Sequence, residues 1–133
     1  MPGPAVLTGL PQGSRHELGL LAFATLLRRA GLDVIYLGCD IPPDSWVVAV
    51  TRLDPAAVVL AAHSHADVPT ARDTVAAIQA AKPDLPIFIG GSQQAQVARA
   101  EPLGQSLQAA ATTLVDRCRT APRNPESGQP AMR

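Results

Sequence analysis

The 133-residue chain carries eleven basic and eleven acidic side chains, so it is formally neutral, with a sequence pI near 6.8. Neutrality removes the electrostatic footprint by which a protein holds nucleic acid or an anionic membrane surface, and it leaves small molecules and other proteins as the expected partners. The length suits one domain that buries its core without staples, and the two cysteines, Cys39 and Cys118, are far apart with no C-x-x-C spacing, as expected of reduced thiols.

No apolar segment approaches the roughly 20 residues of a membrane span. The first residues lack the basic stretch and apolar run of a signal peptide, so the expected location is cytoplasmic.

Strand and helix patterns alternate along the chain. Ala5 to Thr8 reads as a strand inside an apolar run that reaches Leu10. A helix is expected from Glu17 to Ala30, with Leu18, Leu21, Ala22, Thr25, Leu26 and Arg29 on one side and Gly31 as its stop. Asp33 to Gly38 is rich in β-formers, and a short helix from Asp44 to Leu53 follows Pro42-Pro43, since proline is tolerated in a first turn. Ala57 to Ala62 is a continuous apolar run, as expected of a strand covered on both faces. Pro69 to Ala81 is helical, Pro86 to Ile89 is another strand, and Gly90-Gly91 punctuates its exit. Gln93 to Ala100 suits a short helix, Glu101 to Gln105 a vestigial last strand, and Ser106 to Arg119 a closing helix. Such alternation predicts an α/β domain over residues 1–119, a parallel sheet of four to five strands with helices on both faces. Residues 120–133, with three prolines and few large apolar groups, read as a disordered tail.

Two segments carry chemistry. The first is Gly13-Ser14-Arg15-His16-Glu17-Leu18-Gly19, after the first strand, where open α/β sheets bind ligands. Its Ser14-x-x-Glu17 spacing also suits a capping box. The second is His63-Ser64-His65-Ala66-Asp67, directly after a buried strand. Two histidines and a carboxylate are adequate zinc ligands, and the wording is similar to the H-x-H-x-D opening of metallo-β-lactamases. That family continues at once with another histidine, where this chain has Val68, and its fold needs a longer chain and a different strand pattern. A polar loop with Asp67 capping the next helix is the expected structure here. Trp46 is expected to pack on the sheet, and Tyr36 and Phe88 in the core.

Taken together, Gly13 to Gly19, Asp33 to Gly38 with Ile41-Pro42-Pro43, Val58 to Ala62, and Ile87 to Gly91 resemble the cobalamin-binding domain of corrinoid methyltransferases, carbon-skeleton mutases and light-responsive MerR-type repressors. The resemblance spans residues 4 to 115 and implies a flavodoxin-like (Rossmann-like) doubly wound sheet. The family signature is D-x-H-x-x-G, whose histidine replaces the cofactor's own benzimidazole beneath cobalt. His16 and Gly19 match it, and Ser14 stands in place of the aspartate. By that resemblance His16 is the metal ligand, and Ser14, Arg15, Glu17, Gly19, Ala62, His63, Ser64, Gly90 and Gly91 are the other cofactor contacts. The glycines would let the corrin and its nucleotide tail approach. Ala62 takes the place of a family serine that bonds the buried base, and Ser64, two residues later, offers a hydroxyl instead.

The function implied is a stand-alone module for base-off cobalamin, as adenosylcobalamin or methylcobalamin, acting as sensor, carrier or regulatory partner rather than as an enzyme by itself. Two alternatives stand beside it: a corrinoid component of a methyltransferase or mutase, and a cofactor-free flavodoxin-like interaction domain. The helical cap and helix-turn-helix of some family members do not precede the first strand, so a protein partner or a second copy is expected to cover the corrin.

Overall fold

The computed structural model describes residues 3–120. The strands are β1 (Ala5–Pro11), β2 (Asp33–Ile41), β3 (Ala57–Ala61), β4 (Ile87–Gly90) and β5 (Glu101–Pro102). The helices are α1 (Leu18–Arg29), α2 (Pro43–Leu53), α3 (Asp67–Ala81) and α4 (Leu107–Thr120). All strand pairs are parallel, in the order β2-β1-β3-β4-β5. That is the flavodoxin-like order, with its reversal of winding at β1 and β3. The tail expected beyond residue 119 falls, from 121 onward, outside the described residues, and Thr120 belongs to α4.

Alternation along the strands builds two cores. Val6, Val59 and Phe88 face α1 and α4, together with Phe23, Leu27 and Leu114. Leu7, Val58, Leu60, Ile87 and Ile89 face α2 and α3, together with Trp46, Val50 and Ile78. Right-handed crossovers produce this division, because winding outward to β2 and then back toward β5 sends the connecting helices to opposite faces. Each fully buried leucine, valine or phenylalanine contributes about 1.5–3 kcal/mol. The two layers together explain why β3, buried at every position, reads as an unbroken apolar run.

Several expected details differ. On α1 the buried residues are Leu20, Phe23, Ala24 and Leu27, while Leu18 is 85% exposed, so the covered face is not the one through Leu18, Leu21 and Leu26. This helix is apolar nearly all round, and only the sheet decides which stripe is covered. The segment expected to be helical from Gln93 to Ala100 shrinks to one 3-10 turn, Gln94–Gln96. Asp67 opens α3 without capping it. Its carboxylate instead accepts the main-chain N–H groups of His63 and Ser64, at 3.0 and 3.1 Å, closing the β3–α3 turn on itself.

The capping box does not form either. Glu17 makes no cap bond. Its Oε1 accepts the Tyr36 hydroxyl at 2.7 Å, tying the start of α1 to β2. Partial burial first, then the hydrogen bond to Glu17 and its charge, hold the phenol well above its ordinary value of about 10. A phenol raised on folding stabilises the fold below its unfolded pKa, and that contribution is lost as pH rises above about 10. Tyr36→Phe is expected to cost about 1 kcal/mol at pH 8. Urea unfolding at stepped pH checks it: the difference between wild type and variant should vanish toward pH 11 and above, which this single tyrosine makes clean to read. A difference that stays constant would contradict the assignment.

Candidate functional site

The site lies outside the carboxyl ends of β1, β3 and β4. The β1–α1 loop carries His16 there and is pinned at its base. Ser14 donates its main-chain N–H to Pro11 O at 3.0 Å, and Asp40 N–H donates to Ser14 O at 3.0 Å. Gly13 N–H donates to Asp40 Oδ1 at 2.7 Å, and Arg15 lies 3.5 Å from Asp40 Oδ2. Asp40 holds a left-handed φ of 55°, which points the end of β2 back at this loop. The exposed Arg15 pair adds little energy, whereas the main-chain bonds fix where His16 leaves the loop.

His16 is exposed and shares an open cleft with Arg15, Glu17, Leu18, Gly19 and His63. The His16 and His63 rings meet edge to face, with centroids 6.2 Å apart and planes at 78°. His63 is fixed through its backbone, its N–H on Asp67 and its carbonyl oxygen accepting the Ser92 hydroxyl at 2.8 Å. The structure therefore joins two histidines that lie 47 positions apart in sequence.

Behind this cleft a cavity of about 280 Å³ runs between the sheet and the α1 and α4 helices. Leu20, Phe23, Val59, Ala61 and Ala110 make its apolar wall, and Gly90, Gly91, Ser92, Gly104, Gln105 and Ser106 its rim. Gly19 and His63 border both spaces, so the cleft and the cavity adjoin at these two residues.

The glycines have distinct physical reasons. Among the described residues a Cβ on Gly19 or Gly90 would meet no atom within 4 Å, and neither has a positive φ, so nothing in the described fold requires glycine there. Each leaves open space in the cavity. Gly91 is different: its φ is 90° and a Cβ would lie 2.3 Å from Ala62 O. Gly91→Ala is accordingly expected to cost about 3 kcal/mol. Urea unfolding followed by the emission of Trp46, the one tryptophan and fully buried, reads that loss directly.

Other expected contacts are placed as follows. Ala62 is buried against the α2–α3 layer, and the two-residue period of β3 brings Ala61 rather than Ala62 to the cavity. Ser64 is exposed and borders neither space, so the hydroxyl nearest the cavity from this side is that of Ser92. Ser14 is 1% exposed, and its Oγ has no hydrogen-bond partner among the described residues. His65 is exposed, and Asp67 is engaged by main chain, so the His63, His65 and Asp67 trio is not assembled as a set of ligands. Among the described residues no group of three or more His, Cys, Asp or Glu side chains gathers as a metal site.

The far wall of the cavity, from Leu103 to Ala110, was not marked by any motif. Gln94 organises it. The buried side chain donates to Gly91 O and Gly104 O at 2.9 and 3.0 Å and accepts Gly104 N–H at 2.7 Å, clamping the β4 exit to the β5–α4 loop. The signals present in sequence were the Gly104-Gln105-Ser106 turn and Ser106, whose Oγ accepts Ala109 N–H at 3.2 Å as an N-cap.

The family model described as B12 binding domain matches residues 4–111. A novel cobalamin-binding protein from Desulfitobacterium hafniense DCB-2 superposes with a TM-score of 0.79 at 23% identity over 86% of this chain. The methanol:cobalamin methyltransferase complex MtaBC from Methanosarcina barkeri gives 0.79 at 20% over 89%, and the monomethylamine corrinoid protein of the same organism 0.73 at 17% over 84%. The matched region is 59%, 47% and 57% of those three chains respectively. Among the described residues no helix is long and apolar enough to cross a membrane.

Proposed function

This chain belongs to the B12-binding domain family, and from that premise we propose that it holds base-off cobalamin, with the nucleotide tail in the α1–α4 cavity and His16 beneath the cobalt. The observation that carries this reading is that the cleft and the cavity adjoin at Gly19 and His63, and that Gly19 and Gly90 along the cavity leave space the fold itself does not need. A neutral imidazole is a good nitrogen donor to cobalt, so His16 is the side chain that would hold the metal. When bound, cobalamin supplies cobalt–carbon chemistry, and the protein binds and orients it.

Each side chain then has a task. His16 is presented by a loop whose base is held by Asp40. The Ser14 hydroxyl is buried in that loop with no partner among the described residues, and it stands at the position of the family's aspartate. A neutral hydroxyl raises ligand basicity less than a carboxylate does, so a softer bond to cobalt is expected. Phe23, Val59 and Ala61 offer an apolar wall to a planar base, and Gln94 holds the β4 exit against the β5–α4 loop at the far wall.

The role that follows is a cobalamin module acting as carrier, sensor or regulatory partner. A second reading, the corrinoid component of a separate methyltransferase, draws on the likeness to the MtaBC complex and the monomethylamine corrinoid protein. In both, Leu18 beside the open cleft calls for a protein partner or a second copy over the bound corrin. Gel filtration after incubation with hydroxocobalamin tests the shared claim. Co-elution of about one cobalamin per chain is the expected result, and elution free of corrinoid would leave the cofactor-free interaction domain.

A further inference from the structure

Building on the cobalamin reading, we infer that His63 is the contact for the phosphodiester of the nucleotide loop, and so the residue by which this chain prefers complete cobalamin over corrinoids lacking that loop. Three observations meet at this side chain. First, Gly19 and His63 are the residues that border both the outer cleft and the inner cavity, and of the two only His63 has a side chain. A ligand with its macrocycle in the cleft and its base in the cavity passes its linker, an anionic phosphodiester on a ribose, through that junction.

Second, among the described residues no lysine or arginine lines the inner cavity, and His63 is the only ionisable side chain there. An anion drawn into an apolar space needs a hydrogen-bond donor, and an imidazole carrying its proton on Nε2 is one. Third, His63 Nε2 is buried and meets no partner among the described residues. Its backbone is clamped from both sides by Asp67 and Ser92, so the Cβ is fixed while the ring has no bond at Nε2 to give up on turning to a ligand. Leaving such an atom unsatisfied is costly in a buried place, and a ligand acceptor removes that cost.

Hydroxocobalamin and cobinamide, which keeps the corrin and lacks the nucleotide loop, separate this contact from the rest of the site. Equilibrium dialysis of both against wild type, His63→Ala and His63→Gln is the experiment. His63→Ala is expected to weaken hydroxocobalamin about tenfold, the scale of a lost hydrogen bond to a charged group. Cobinamide should stay within about twofold of wild type over the same comparison. His63→Gln, which keeps a donor, should recover part of the loss, and Trp46 emission checks that each variant is folded. Equal losses for both corrinoids, or no loss for hydroxocobalamin, would overturn the inference. Wild type retaining neither corrinoid would instead defeat the cobalamin reading on which it rests.

Discussion

Replacing His16 by alanine is expected to weaken retention of hydroxocobalamin by about 100-fold, close to 2.7 kcal/mol, and to change its visible spectrum. The unfolding free energy should stay within about 0.5 kcal/mol of wild type. The separation follows from where the side chain is. His16 is exposed, its loop is held by main-chain bonds through Pro11, Ser14 and Asp40 rather than by the imidazole, and its ring only touches His63 edge-on. Removing it takes nothing out of either core. Spectral titration with parallel urea unfolding reads both quantities. An unchanged spectrum and affinity would show that cobalt is not ligated here.

The second large effect combines opposite signs in one variant. Gly19 is the second residue of α1, where glycine is a poor helix former, and a Cβ there meets nothing. Gly19→Leu should therefore leave the free protein at least as stable, with a gain of up to about 1 kcal/mol that shifts Tm upward by roughly 3–5 °C. The same side chain would stand where cleft and cavity meet and obstruct a threaded tail, so hydroxocobalamin retention should fall at least about tenfold. Thermal unfolding with and without cobalamin measures both. A variant that is more stable and still retains cobalamin as wild type does would mean that the tail does not pass Gly19.

Much of this was readable from the chain because alternation and punctuation are strong in it. The unbroken run at β3 announced a strand covered on both faces, and Gly90-Gly91 announced a special exit from β4, where Gly91 does hold a φ that other residues avoid. The stripe on α1 was not readable, since Leu18, Leu20, Leu21, Phe23, Leu26 and Leu27 surround the helix and only the sheet selects among them. Local chemistry also misled at Ser14 and Glu17. Their spacing suits a capping box, yet Tyr36, 19 residues away, takes the Glu17 carboxylate, and the Ser14 N–H that this carboxylate would have accepted bonds Pro11 O instead. A tertiary bond outcompeted a local one.

The same limit applies to the site. His16 and the glycines belong to short motifs and stand out in sequence, whereas the meeting of His16 with His63 is made by neighbouring strands and carries no spacing signal. Ala62 and Ala61 differ by one residue, and the period of two in a strand turns that difference into opposite faces of the sheet. The far wall of the cavity depends on Gln94, whose three bonds to main chain at Gly91 and Gly104 cannot be inferred from its identity.

The most direct measurement is electron paramagnetic resonance of the protein loaded with cobalamin, reduced to the cobalt(II) state, with the protein uniformly labelled with nitrogen-15. A protein imidazole beneath cobalt predicts a doublet splitting on each cobalt line, lost in His16→Ala. An unaltered nitrogen-14 triplet would place the cofactor's own benzimidazole on the metal and contradict base-off binding through His16.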